Sequence, residues 1–187
     1  MRGLFTSAGL CALAALGLAW PTCASAQVDD VLASSGLAPG RLELEITESA
    51  LIAESAATRA ALRELRAAGI QLSLDDFGTG YSSLRSLRAF PVDKIKIDKS
   101  FVADIGRKAD SAAIIRAIIG LAHDLGLDTA AEGVETEGQL RWLALQGCTQ
   151  GQGHFISEAL DGDEIRTLLE TVRAIALASP HARSQTG

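Results

Sequence analysis

The sequence predicts an α/β fold built on a parallel sheet, and two observations support this. Strand-like and helix-like segments alternate from Val28 onwards, with short connections that favour right-handed β-α-β units. Within the strand-like segments polar and apolar residues alternate, so each strand has one apolar face that helices can cover. The alternation does not distinguish an open sheet from a closed one.

The elements follow from periodicity and from the residues that end each segment. Apolar residues recur with a helical period in the longer segments, and Gly69, Gly126 and Gly147 each stand where a helix would end. Alternating segments that lead into turns are assigned as strands. We predict strands at 41–47, 70–75, 94–98, 129–132 and 148–151, and helices at 28–35, 56–68, 82–89, 111–125, 136–146 and 161–176.

Composition narrows the class of protein. The 187 residues are 48% hydrophobic and 21% charged, which is typical of one soluble globular domain. A net charge of -6 and an aromatic content of 4% argue against a partner that is a nucleic-acid polymer, because such binders carry a basic face and stacking platforms. Three cysteines, two of them close to the start, indicate neither a disulfide framework nor a zinc site.

Residues 1–26 differ from the rest of the chain. Arg2 is their only charge, an apolar run follows, and Ala24-Ser25-Ala26 offers a small-residue cleavage site, as in a secretory signal peptide. The apolar run is short for a membrane span, so we expect no stable one. An incorrect start site or a gene rearrangement is the alternative explanation. We therefore expect a leader at 1–26, one domain at 27–176 and a disordered tail at 177–187.

Charged residues stand near the carboxyl ends of four neighbouring predicted strands. Asp75 is followed directly by Asp76, and adjacent aspartates are also common in plain surface turns. Side-chain parity places one charged residue of each strand on the polar face of the sheet, where the carboxyl ends of parallel strands meet. The residues concerned are Glu45, Asp75, Lys96 and Glu132. We predict one shared site, the alternative being ordinary salt bridges at strand ends.

Such a site would suit phosphate chemistry. Carboxylate oxygens favour hard cations such as Mg²⁺ or Mn²⁺. Lys96 would orient a water molecule or offset phosphate charge, and Glu132 would serve as ligand or general base. Two cations bridged by a carboxylate would fit the in-line hydrolysis of a phosphodiester.

Five motifs carry a specific resemblance to a known family, and their order and spacing match it as well. The chain resembles the EAL family, the bacterial phosphodiesterases that linearise cyclic di-GMP. The motifs are Leu-Glu-Leu-Glu-Ile-Thr-Glu-Ser at 42–49, Asp-Asp-Phe-Gly-Thr-Gly-Tyr-Ser-Ser-Leu at 75–84, Val-Asp-Lys-Ile-Lys-Ile-Asp at 92–98, Ala-Glu-Gly-Val-Glu-Thr at 131–136 and Gln-Gly-His-Phe-Ile-Ser at 152–157.

The resemblance implies a (β/α)8-like barrel, dependence on Mg²⁺ or Mn²⁺, and cyclic di-GMP as the ligand. It implies that Lys96 contacts the attacking water and that Glu48 holds the loop after the paired aspartates. That loop, which includes Phe77, Gly78, Thr79 and Gly80, would help to assemble the metal site and a dimer contact. The implied metal carboxylates are Glu45, Asp75, Asp76 and Glu132, and the implied supporting residues are Glu135 and Gln152.

The sequence also departs from the family pattern. The Glu-Ala-Leu signature of the family, whose glutamate is a metal ligand, is expected upstream of Glu45 and is absent there. The asparagine ligand expected on a following strand is absent as well. A barrel of this kind takes about 250 residues. We therefore expect an incomplete TIM-like barrel of the EAL type that lacks the early strands.

Three functions follow from this expectation. The chain would be an inactive remnant, an enzyme completed by another copy or an upstream fragment, or a non-catalytic protein that binds nucleotide. In the last case it would pair with itself or with another EAL chain. Localisation stays open, since the leader predicts export whereas the family chemistry predicts the cytoplasm. Whether the chain is an enzyme also stays open at this point.

Overall fold

The computed structural model describes residues 10–13, 24–47, 56–78 and 84–178. Within these ranges six parallel strands form one sheet in the order of the sequence. Strands that are consecutive in the sequence are also neighbours in the sheet, and this is the strand order of a (β/α)8 barrel. The strands are β1 (Leu10–Leu13), β2 (Leu42–Thr47), β3 (Gln71–Phe77), β4 (Lys94–Ile97), β5 (Asp128–Ala131) and β6 (Gln150–Gly151).

Helices separate the strands. The long helix that precedes β5 ends at Gly126, and the helix that precedes β6 ends at Gly147; both glycines adopt the left-handed conformation that terminates a helix. A single 3-10 turn at Pro39–Arg41 leads into β2. The helices are α1 (Ala24–Ser35), α2 (Ala56–Ala67), α3 (Leu84–Ala89), α4 (Lys99–Ala103), α5 (Ala109–Leu125), α6 (Glu137–Gln146) and α7 (Gly162–Ala178).

The parallel α/β fold is confirmed, its strand order fits part of a TIM-like barrel, and most predicted elements agree with the structure to within a few residues. Two elements, one α-helix and one strand, were not predicted. The short helix α4 was not predicted, because its five residues are too few to show a period. Leu10–Leu13, inside the predicted leader, forms strand β1 and pairs with β2. Periodicity alone does not separate a short apolar strand from the apolar core of a leader, and the leader itself stays a prediction.

The apolar face of the sheet forms the core. Leu44 of β2, Leu72 and Leu74 of β3, and Ile95 and Ile97 of β4 are all buried. Helix side chains such as Leu65 and Ile115 belong to the same cluster. Burying this face directs the alternate side chains of each strand to the opposite, polar face. None of the helices that the structure describes is long and apolar enough to cross a membrane.

A bulge interrupts β3 next to the paired aspartates. The pairing with β4 shifts register between Leu74 and Phe77, and Asp76 has a positive φ of 57°. The extra residue returns Phe77 to the apolar face, where it is buried level with Ile97. Phe77, predicted to begin a loop, therefore ends the strand and packs in the core. The prediction failed because the sequence alternation gives no sign of a bulge.

The approach of Gly153 to Val134 predicts a sharp cost for a side chain at this position. A Cβ atom on Gly153 would collide with both the backbone N and the backbone O of Val134. We expect Gly153→Ala to lower the free energy of unfolding by about 3 kcal/mol, as in other overpacked sites. Urea unfolding measures this. Gly162→Ala is the matched control, because no atom lies within 4 Å of its added Cβ. Equal stability of the two variants would contradict the prediction.

Candidate functional site

The ammonium group of Lys96 lies among three carboxylates on the polar face of the sheet. Its Nζ is 2.6 Å from Glu45 Oε1, 2.5 Å from Glu132 Oε1 and 3.3 Å from Asp75 Oδ1. The Lys96 side chain is only 6% exposed, and the three carboxylate side chains are between 12% and 19% exposed. These four residues are called the Lys96 cluster below. They come from four adjacent elements and meet at the carboxyl end of the sheet.

Strand register explains why the four side chains meet. Glu45 pairs with Ser73, two residues before Asp75, and Lys96 pairs with Ala130, two residues before Glu132. The Glu132 amide then donates to the carbonyl of Ile97, which brings the chain beyond β5 next to the end of β4. A second ion pair, from Lys94 Nζ to Glu43 Oε2 at 2.6 Å, belongs to the same face two residues earlier in each strand.

Burial and charge perturb the titration of the Lys96 cluster. Burial alone acts to lower the pKa of Lys96, but hydrogen bonds with Glu132 and Glu45 outweigh it and hold that pKa well above its usual range. Lys96 is therefore a permanent cation near pH 7. Burial raises the pKa of Glu132, and the negative charges of Asp75 and Glu45 add to the shift against the opposing effect of Lys96. The folded structure thus favours the protonated form of Glu132 more than water does.

The paired aspartates differ in environment. Asp75 is partly buried, and its Oδ1 atom accepts no hydrogen bond from the residues that the structure describes, although Lys96 Nζ lies 3.3 Å away. Asp76 is exposed, and both burial and repulsion from Asp75 raise its pKa. Its left-handed backbone is uncommon for a residue other than glycine and occurs at functional sites. The bulge thus turns two adjacent carboxylates toward different surroundings.

The donor types suit a hard divalent cation, although their present arrangement among the described residues does not form a metal site. Every acidic side chain near Lys96 offers carboxylate oxygen, and the buried Oδ1 of Asp75 lacks a hydrogen-bond donor that would satisfy it. Over the described ranges no three His, Cys, Asp or Glu side chains are arranged to hold a metal ion. The Lys96 ammonium stands at the point where the three carboxylates converge.

Three further predicted residues, Glu135, Gln152 and Gly78, are among the described residues. Glu135 and Gln152 are exposed, and backbone hydrogen bonds link their segments, from Gln152 N to the Ala131 carbonyl and from Val134 N to the Gln152 carbonyl. Gly78 follows β3 with a φ of 93°. Glu48, Thr79 and Gly80 lie outside the described residues.

Strand β1 is the neighbour of β2 on the upstream side, where the resemblance implies further ligands. Leu13 is the residue level with Glu45 in the pairing of these strands. The four residues of β1 are Leu, Cys, Ala and Leu, so none has an oxygen-bearing side chain. The described sequence therefore supplies neither the family's glutamate nor its asparagine at this edge.

Two residues near the site were missed by sequence reasoning. Asp98 caps α4 by accepting hydrogen bonds from the backbone and side chain of Ser100; although burial acts to raise it, these bonds hold the pKa of Asp98 below its usual value. Gln139 forms a capping box with Thr136 at the start of α6. The sequence did carry a signal for Gln139, because Thr-x-x-Gln before an apolar run is the pattern of a capping box.

Comparison with known proteins identifies the family. The model of the EAL domain matches residues 17–159. A signaling protein of Caulobacter vibrioides is 49% identical over 138 residues, 74% of this chain and 17% of that protein. The bifunctional diguanylate cyclase/cyclic di-GMP phosphodiesterase MucR of Pseudomonas aeruginosa is 39% identical over 74% of this chain and 20% of its own length. The chain thus spans about a fifth of these relatives.

Solved structures of EAL proteins are similar to this chain as well. The EAL domain of Mycobacterium smegmatis DcpA superposes with a TM-score of 0.75 at 43% identity, covering 79% of this chain and 66% of that one. Klebsiella pneumoniae BlrP1, solved with manganese and cyclic di-GMP, superposes with a TM-score of 0.65 at 39% identity, covering 71% and 34%. Divalent metal is therefore found in a structural relative. The family model covers more than half of the chain, and the chain belongs to the EAL domain family.

Proposed function

We propose that this chain binds cyclic di-GMP and hydrolyses it to the linear dinucleotide pGpG with Mg²⁺ or Mn²⁺, slowly when the chain acts alone. One observation carries the proposal. The Lys96 cluster places a buried ammonium group and three carboxylates at the carboxyl end of four adjacent strands. Barrel enzymes hold their substrates at this end. The low rate is expected because β1 offers no oxygen ligand beside Glu45.

The residues of the cluster have distinct roles in this proposal. Glu45, Asp75, Asp76 and Glu132 would hold the cations, which supply charge neutralisation at the phosphate and a more acidic water. Lys96 stays protonated, so it donates hydrogen bonds to the attacking water or to a phosphate oxygen and cannot serve as a base. Glu132, with its raised pKa, is the candidate that accepts the proton of that water.

The bond changes in this reaction balance without a further reactant. The water oxygen forms a bond to phosphorus, and the bond from phosphorus to one ribose 3′ oxygen breaks. The proton lost by the water passes to the base, and the leaving oxygen takes up a proton. The product keeps the phosphate on the 5′ side, as in pGpG.

Calorimetric titration tests the binding part of the proposal. We expect cyclic di-GMP to bind the chain in Mn²⁺ and not in EDTA, and Asp75→Ala to remove that binding. Asp163→Ala is the matched control, since Asp163 is almost fully exposed at the start of α7 and should leave binding unchanged. Binding that survives Asp75→Ala, or a folded wild type that binds nothing, would contradict the proposal.

A non-catalytic binding protein is the second candidate, and the composition of β1 favours it. Without an oxygen ligand on that strand, the cluster would hold nucleotide but position a cation poorly for cleavage. Pairing with a second EAL chain would fit either function, because β1 and β6 have unpaired edges in the described sheet. Light scattering on the titrated samples measures whether the chain associates with itself.

A further inference from the structure

The buried side chain of Gln139 joins the loop after β5, helix α4 and the first turn of α6. It is 9% exposed and lies in the first turn of α6. Its Oε1 accepts hydrogen bonds from the backbone N–H groups of Glu135 at 2.9 Å and Thr136 at 3.0 Å. Its Nε2 donates to the carbonyl of Val102 at 3.1 Å. The three hydrogen bonds are called the Gln139 clamp.

The segments joined by the clamp carry residues of the site. The loop 132–136 begins with Glu132, whose carboxylate contacts Lys96 Nζ, and it includes Glu135. Val102 lies in α4, the helix that follows the strand bearing Lys96, and it is fully buried. The Gln139 clamp therefore connects the loop that carries Glu132 to α4, the helix that follows the strand bearing Lys96.

Other contacts leave the loop little room to move elsewhere. The Glu132 amide donates to the Ile97 carbonyl at 3.1 Å, and the Val134 amide donates to the Gln152 carbonyl at 3.0 Å. Gly133 has a φ of 65°, and a Cβ atom there would lie 2.6 Å from the Cβ of Lys99. The amides of Glu135 and Thr136 come after these fixed points, and the Gln139 side chain holds both.

We propose that Gln139 is a positioning residue, which holds Glu132 and Glu135 in register with Lys96 through the loop 132–136. The part of this inference that concerns ligand affinity rests on the proposed function. Buried amide groups that lose their partners are costly, so the loop would rearrange once the clamp is gone. Removing a residue that orients the ligands of a metal site typically weakens metal affinity by about 10- to 100-fold.

Three variants separate positioning from simple stability. Gln139→Leu removes the whole clamp at similar size. Gln139→Glu keeps an acceptor for the two loop amides and loses the donor to Val102. Thr136→Ala is the control, because it removes only the cap bond from Gln139 N to Thr136 Oγ1, at 3.2 Å, and leaves the clamp.

Hydrogen exchange of the peptide that covers 132–136 and Mn²⁺ affinity are the two readouts. We expect Gln139→Leu to speed exchange and weaken Mn²⁺ binding by about 10- to 100-fold. Gln139→Glu should keep the loop protected and weaken Mn²⁺ binding about tenfold. Thr136→Ala should change neither readout. Slower or unchanged exchange in Gln139→Leu, or equal effects of Gln139→Leu and Thr136→Ala, would overturn the inference.

The readouts also separate this inference from the proposed function. If the wild type binds no Mn²⁺, the proposed function fails, and loop exchange alone decides whether Gln139 positions the loop. If Gln139→Leu does not fold, Gln139→Glu decides: wild-type Mn²⁺ affinity together with wild-type exchange around Val102 would overturn the coupling to α4.

Discussion

Replacing Lys96 by methionine lowers the free energy of unfolding by about 3 kcal/mol at pH 7, the cost of removing one partner from a buried ion pair. Methionine preserves the length of the side chain but leaves Glu45, Asp75 and Glu132 around an apolar group. The three carboxylates are largely withdrawn from water and have no other cation within the described residues at these distances. Urea unfolding measures the change.

The pH dependence of the Lys96→Met variant follows from Glu132. Its pKa is already raised in the folded state by burial, and the loss of Lys96 removes the effect that lowers it. A carboxyl whose folded pKa exceeds its unfolded pKa binds protons more tightly in the folded state, so its stability contribution is lost as pH rises through the folded pKa. The difference in unfolding free energy between the wild type and Lys96→Met should therefore become smaller from pH 7 towards pH 5.

Lys108→Met is the matched control for this prediction. Lys108 pairs with Asp104 at 2.8 Å on the surface, and its side chain is 67% exposed. Exposed ion pairs of this kind contribute little to stability. The unfolding free energy of this variant should therefore lie within about 0.5 kcal/mol of the wild-type value at both pH values. A Lys96→Met variant as stable as Lys108→Met would show that the Lys96 cluster is solvated and not a buried ionic site.

Glu132→Gln should reduce the rate of cyclic di-GMP hydrolysis by at least about 100-fold, the usual contribution of a general acid or base. The same variant should be no less stable than the wild type, because Lys96 keeps Glu45 and Asp75 as partners. The raised pKa of Glu132 means that the folded state disfavours its charged form at pH 7, and glutamine removes that charge. Activity and unfolding measurements on one sample would show activity lost without a loss of stability.

Glu137→Gln is the control, because Glu137 pairs with Arg141 on the exposed surface of α6 and lies outside the cluster. It should keep both the wild-type rate and the wild-type stability. A Glu132→Gln variant that hydrolyses cyclic di-GMP at the wild-type rate would remove Glu132 from the proposed chemistry.

Much of the fold could be predicted from local pattern. Alternation in Leu42 to Thr47 and in Lys94 to Ile97 places one face against helices, which is the arrangement seen in β2 and β4. The same parity brings Glu45 and Lys96 to one face, where their side chains meet. Parity succeeds here because a buried apolar face leaves each side chain only one alternative direction.

The sequence could not predict features that depend on contacts between distant segments. The bulge at Asp76 depends on how β3 meets β4, and it moved Phe77 from a predicted loop into the core. The donor from Gln139 to Val102 joins residues 37 positions apart, although the capping pattern around Gln139 was visible. Pairing of Leu10–Leu13 with β2 likewise has no local signal, since an apolar run of this composition is typical of a leader as well.

Hydrolysis of cyclic di-GMP in ¹⁸O-labelled water is the decisive measurement for the proposed activity. The purified chain would be incubated with Mn²⁺, beside Asp75→Ala and Asp163→Ala, and the products would be analysed by mass spectrometry. We expect pGpG that carries one ¹⁸O atom, formed slowly by the wild type and by Asp163→Ala and not formed by Asp75→Ala. A folded wild type that binds cyclic di-GMP and Mn²⁺ yet forms no linear product would contradict the proposed activity and would favour the non-catalytic binding protein.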